Sequence, residues 1–170
     1  MVGKYLAASF LLAAPAFSHV LHESLPAVPQ GWTKVSEPSS DSTISLEVAL
    51  NMNNIDQMVE QLYAVSTPGG ASYGQHWTKE QVDNLVSASD EAVQATVHWL
   101  NDANITSKVI GNSVHFTSTV GQAEKLLNTK FSNYRKDGVT KLRTTQYHVG
   151  DAVAKHVDLI HPTTFFGSTQ

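Results

Sequence analysis

The chain contains no cysteine among its 170 residues. That one absence removes a disulfide framework, thiol nucleophiles and Cys-type zinc sites. A core of this size stands without covalent staples, so secretion remains open. Charge is sparse, with 15% of residues charged and a formal net charge of -4. No Lys/Arg run or basic stripe occurs, and nucleic acid is therefore not an expected partner. Beyond the N-terminus no stretch approaches the ~20 apolar residues of a membrane span. G-x-S-x-G elbows and glycine-rich phosphate loops are also missing. Gly69-Gly70 follows a helical pattern beside Pro68, where a turn accounts for it.

Apolar residues make up 41% of the chain, too many for a disordered one and enough for one globular core. The first eighteen residues read as a signal peptide: Lys4, then the run YLAASFLLAA, then Ala16-Phe17-Ser18. Small residues at positions 16 and 18 suit cleavage before His19, with Ala14-Pro15-Ala16 as a competing site. From His19 to Asp41 regular pattern is scarce. Pro26, Pro29, Gly31 and Pro38 make this an extended arm, anchored to the domain by Trp32.

Periodicity begins at Thr43. Ile44, Leu46, Val48 and Leu50 alternate with Thr43, Ser45, Glu47 and Ala49, the mark of a half-buried strand. Ile55, Met58, Val59 and Leu62 then recur at helical spacing up to Pro68. Thr78 and Gln81 form a capping box ahead of Val82, Leu85 and Val86. Ser89 precedes Asp90 and Glu91 at the head of a helix whose inner face carries Val93, Val97 and Leu100. Ile105–Ile110 and Ser113–Thr117 are strand-like around the turn Gly111-Asn112. Thr119 and Gln122 form a second capping box before Ala123, Leu126 and Leu127. Lys130 to Arg135 reads as the next strand, and Asp137-Gly138 turns the chain toward Val139–Arg143.

With the inserted helix set aside, the order is β-α-β-β-α-β. The expected fold is α+β: a ferredoxin-like antiparallel sheet with helices on one face, spanning residues 42–170 after the arm at 19–41. Ile44, Leu46, Val48, Leu62, Val97, Leu100, Val114, Phe116, Leu126 and Phe131 are expected in one core.

Eight histidines are present: His19, His22, His76, His98, His115, His148, His156 and His161. None forms a short helical ligand pair, so no metal site and no cofactor are expected. Asn104-Ile105-Thr106 is the sole N-glycosylation sequon, used or unused.

Several co-linear segments carry a resemblance. Val65 to Val82 (VSTPGGASYGQHWTKEQV) resembles a characteristic stretch of sedolisin prodomains, as do Val97-His98-Trp99-Leu100, Ala123 to Thr129 with Phe131, Leu142-Arg143-Thr144, Tyr147-His148-Val149 and His156 to Thr164. His22-Glu23 and Gly31-Trp32 match its arm. The chain is thus similar to the pro-kumamolisin-type activation domain of secreted fungal tripeptidyl-peptidase precursors. Gly150 departs from the family's usual Pro, which would free the entry to the last helix, and Trp77 replaces a smaller aliphatic residue.

The resemblance implies a prodomain that templates folding of a sedolisin-type catalytic domain and blocks its cleft until acid releases it. It implies secretion, or alternatively a vacuolar or lysosome-like compartment. The family's nucleophile, base, oxyanion and calcium residues belong to the catalytic domain, so no catalytic residue is expected here. An inactive N-terminal fragment of a truncated precursor and a repurposed ferredoxin-like binding module are the competing readings. His161, Pro162, Thr163, Thr164, Phe165 and Phe166 are the candidate cleft-contacting tail, lying as an extended pseudo-substrate. The competing arrangement packs Phe165-Phe166 on the domain itself. The tail follows the last core pattern, so its removal should spare the fold. Once Lys4 leaves with the signal, ten basic residues face fifteen acidic ones, a balance of -5 that eight protonated histidines would carry to +3. Docking through the acidic residues would place release at about pH 4 rather than about pH 6. On this reading, the purified chain releases no tripeptide from peptide substrates anywhere between about pH 3 and about pH 8. Acid-dependent hydrolysis that survives stringent purification would contradict it.

Overall fold

The computed structural model describes residues 18–167, and the signal peptide assigned to residues 1–18 lies outside them except for Ser18. Along the chain run β1 His19–Ser24, β2 Thr33–Ser36, β3 Thr43–Leu50, α1 Ile55–Ser66, α2 Lys79–Val86, α3 Asp90–Asp102, β4 Ser107–Ile110 and β5 Ser113–Thr119. They are followed by α4 Val120–Leu126, β6 Ser132–Lys136, β7 Val139–Arg143, β8 Gln146–Gly150, α5 Asp151–Ala154 and β9 Val157–His161.

A four-stranded antiparallel sheet of order β4-β5-β3-β9 is the centre of the molecule. With α3 between β3 and β4, and α4 after β5, this is the ferredoxin-like split pattern. The alternation read from β3 is obeyed: Ile44, Leu46, Val48 and Leu50 are buried. They meet Ala92, Trp99 and Leu100 of α3 and Ala123 and Leu126 of α4, all on one side of the sheet. Local chemistry sets the helix starts. Thr78 and Thr119 each complete a capping box with Gln81 and Gln122, and the Ser89 hydroxyl accepts from the Ala92 N–H. Both two-residue hairpins close as expected, with Ile110 opposite Ser113 and Lys136 opposite Val139. Gly111 in the first turn and both Asp137 and Gly138 in the second take positive φ.

Five expectations are corrected. The fourth strand is β9, not the segment at Lys130–Arg135. β6 instead joins β2 and β7 in a three-stranded sheet. β9 escaped the pattern because its pairing with β3 shifts register between Ala49 and Leu50, which leaves Val157 and Ile160 inward and Leu159 outward. The arm is not merely extended: β1 pairs with β8 and β2 with β6. Trp32 does anchor it, buried against Tyr134 and Phe166.

The helix α1 contributes less to the core than its period suggests. Leu62 is 60% exposed and Val65 is its one buried residue. Its stripe meets α2 rather than the sheet, leaving an apolar groove of about 300 Å³ lined by Met58, Leu62, Val65, Trp77 and Val82. The Asn53 and Asn54 amides tie this insert down by donating to the Ser87 and Leu85 carbonyls. Val97 is likewise only partly buried, because α3 turns Thr96 and Trp99 inward instead.

Gly150 does not loosen the chain. Its φ of -60° is one proline also adopts, and an added Cβ would lie 2.9 Å from Trp99 Nε1. The close approach of the Trp99 indole is what glycine permits there.

Denaturant unfolding separates the two helices. Leu100→Ala should destabilise by about 2–5 kcal/mol. Leu62→Ala should stay within about 0.5 kcal/mol. Equal losses would show that α1 is part of the cooperative core.

Candidate functional site: the open sheet face and the C-terminal segment

Helices cover one face of the four-stranded sheet, and the other is left to the outward residues of the same strands. Register arranges these in rows. The first row is apolar at both ends: Ile110, Ser113, Ala49 and Leu159 stand opposite one another across β4, β5, β3 and β9. Ile110 is 51% exposed and Leu159 42%. The next row is ionisable: Lys108, His115, Glu47 and His161. His115 Nε2 lies 3.9 Å from Glu47 Oε1. In the third row the Ser45 and Thr117 hydroxyls share a 2.9 Å hydrogen bond. Ser45, Glu47, Lys108, His115, Thr117 and His161 line an open groove of about 700 Å³. The Phe165 ring stacks beside His161, 5.6 Å between centroids, and extends the ionisable row at its β9 end.

Sequence reasoning counted His115 and His161 among ordinary histidines and did not single out Glu47 or Lys108. Only the strand register brings the four into one line. Among the described residues no group of three His, Asp or Glu side chains could hold a metal ion.

The structure separates the tail residues by exposure. His161 and Phe165 are exposed, Pro162 is half-buried, and Thr163, Thr164 and Phe166 are buried. Thr163 Oγ1 donates to the Ile160 carbonyl, and the Thr144 N–H donates to the Thr163 carbonyl. Phe166 sits edge-on to Tyr134 and Trp32, with centroids at 5.0 and 5.5 Å. Two cations of β7 grip the backbone here. Lys141 Nζ donates to the Phe166 carbonyl at 2.7 Å, and Arg143 Nε donates to the Phe165 carbonyl at 2.6 Å. Lys141 also stands over the Trp32 ring, 5.2 Å from its centroid. Burial of the Arg143 guanidinium lowers its pKa, since desolvation disfavours the charged form. Of the two adjacent aromatics, Phe166 packs on its own domain and Phe165 does not.

The expectation that the tail follows the last core element is therefore corrected: it completes a second core with Trp32 and Tyr134. The sequence clues for this were not local, because Lys141 and Arg143 lie on β7 and Trp32 just ahead of β2. Phe166→Ala should destabilise by about 3–5 kcal/mol. Phe165→Ala should cost within about 0.5 kcal/mol. Deletion of residues 161–170 should broaden or abolish the cooperative unfolding transition. An unchanged melt after the deletion would contradict the packing described.

Comparison with known proteins agrees with this architecture. Residues 30–166 match the family model described as the activation domain of pro-kumamolisin. The chain is 44% identical over 174 aligned residues to tripeptidyl-peptidase sed4 of Aspergillus fumigatus, covering 100% of this chain and 29% of that protein. It is 35% identical over 158 residues to the probable tripeptidyl-peptidase SED2 of Trichophyton verrucosum, covering 90% of this chain and 26% of that one. The chain thus spans less than a third of the length of these relatives, and what it matches is an activation domain rather than a catalytic one. By this match the chain belongs to the pro-kumamolisin activation-domain family, the prodomains of sedolisin-type peptidase precursors.

Proposed function

We propose that this domain assists folding of a sedolisin-type tripeptidyl-peptidase catalytic domain, inhibits it near neutral pH, and releases it in acid. The relatives carry such a domain in cis, and the proposal is that this domain also recognises one presented in trans. The observation that carries the reading is the uncovered face of the four-stranded sheet. A face with exposed Ile110 and Leu159 beside an ionisable row is suited to a partner that buries the apolar end and pairs the charges. As a preformed surface it also offers a template on which a partner's elements can pack. Phe165, exposed at the edge of this face, is the tail side chain available to a cleft. His161 and Pro162 border the same groove, while Thr163, Thr164 and Phe166 position Phe165 from within the domain.

Acid release follows from the row's composition. Lys108 and Glu47 bring opposite charges, and protonation of His115 and His161 adds two positive ones to the line. A partner surface matched to the row at neutral pH then meets an excess of positive charge. Imidazoles take up protons at higher pH than carboxylates, whose ordinary range lies near ~4. On this face one carboxylate, Glu47, stands between two histidines, so both residue types lie where a partner would dock.

The reading places the protein in a secreted or acidic-compartment setting. No helix among the described residues is long and apolar enough to cross a membrane.

The test is inhibition of a sedolisin-type catalytic domain, titrated from about pH 7 to about pH 3. Inhibition should be present at the upper end and lost in acid. The double variant His115→Gln, His161→Gln should move the loss toward lower pH. Leu159→Asp should weaken inhibition about tenfold or more at neutral pH. No binding at neutral pH would favour the inert precursor fragment. Strong binding to an unrelated partner alone would favour the repurposed module.

A further inference from the structure

We infer that Asn104 is an N-glycosylation site, occupied in the folded protein by an oligosaccharide that stands at the head of the edge strand β4. Asn104 belongs to the sole Asn-x-Ser/Thr sequence of the chain. It follows the last turn of α3 with a positive φ of 57°, its N–H donating to the Asn101 carbonyl at 2.8 Å. Asparagine tolerates this left-handed conformation at a helix end, which explains the residue type but leaves its side chain unused. The amides of Asn51, Asn53, Asn54, Asn112 and Asn133 all hold other parts of the fold by hydrogen bonds. The Asn104 carboxamide is exposed and has no hydrogen-bond partner among the described residues.

Thr106 supplies the second observation. Ile105, between the two, is buried in the main core and explains itself. Thr106 is exposed, and its hydroxyl likewise has no partner among the described residues. Thr106 borders the open-face groove, and its unpaired hydroxyl, two residues after an asparagine whose amide is also unpaired, is what the modification chemistry requires. In that step Asn104 Nδ2 attacks the anomeric carbon of a lipid-linked oligosaccharide. The lipid diphosphate leaves, and the amide loses one proton. The folded state accepts the product because Asn104 is exposed and is not among the residues lining the open-face groove.

The location also suggests what the sugar does. β4 pairs with β5 on one side only and carries exposed Val109 and Ile110. An open apolar strand edge invites pairing with another chain, and a bulky solvated group beside it opposes that approach.

The inference rests on entry into the secretory pathway, so the experiment separates the two. The full chain is expressed in a yeast host behind its own leader and, in parallel, behind a heterologous one. Material from the medium should drop in apparent mass by one glycan step on endoglycosidase treatment. Asn104→Gln and Thr106→Ala should abolish that step, and Thr106→Ser should retain it. Secreted chain that shows no shift behind the heterologous leader, or a shift that persists in Asn104→Gln, would overturn the site. A glycan found only behind the heterologous leader would uphold the site and refute secretion by the native leader. After enzymatic removal of the sugar, light scattering should rise; equal scattering would refute the shielding role while leaving the attachment site in place.

Discussion

Register at β3 is the constraint on which both the core and the site depend. β3 is bonded on both sides, to β5 and to β9. Its even-numbered residues Ile44, Leu46, Val48 and Leu50 face the helices, so Ser45, Glu47 and Ala49 face outward. A slip of one residue would bring Glu47 into the apolar layer and expose four large side chains. The burial that fixes the fold therefore also fixes which residues form the open face. The ionisable row follows from this: Glu47 lies between His115 and His161 because Val48 lies between Val114 and Ile160.

The second core ties the end of the chain to this sheet. β9 runs directly into Thr163 and Phe166, and the Phe166 ring fills the space between Trp32 and Tyr134. The arm and the C-terminal segment, far apart in sequence, meet there. Tyr147 of β8 contributes from the main core, its hydroxyl accepting from the Ile160 N–H at 3.0 Å. Burial pushes the phenol upward from its ordinary pKa, so it remains a neutral hydrogen-bonding group at any pH relevant to release. The phenol beneath β9 therefore keeps its hydrogen bond in acid, while His22, whose ring packs on Tyr147 and contacts the Asp158 carbonyl, brings an ionisable group to the same support.

Much of this was legible in the sequence where the signal is local. The alternation of β3, the capping boxes at Thr78 and Thr119, and the turns at Gly111-Asn112 and Asp137-Gly138 each depend on a few adjacent residues. The elements that depend on distant partners were read less well. The register shift of β9 breaks a simple period, and β1 and β2 are short strands whose pairing partners lie in the last third of the chain. Helix α1 has a convincing apolar stripe, yet period alone does not say what the stripe faces. Family motifs located the residues from His156 to Thr164 but not their burial. The ionisable row had no sequence signal of its own, since Lys108, Glu47, His115 and His161 come together only through three separate strand pairings.

Docking of a peptidase domain on the open sheet face is the proposal most open to direct test. Histidine footprinting tests it directly, because both faces of the molecule carry suitable reporters. His115 and His161 stand on the open face, while His98 is exposed on α3. Carbethoxylation would be followed at each histidine by mass spectrometry, with and without a sedolisin-type catalytic domain near neutral pH. Docking on the open face should protect His115 and His161 and leave the rate at His98 unchanged. Protection of His98 with His115 and His161 still fully reactive would contradict it.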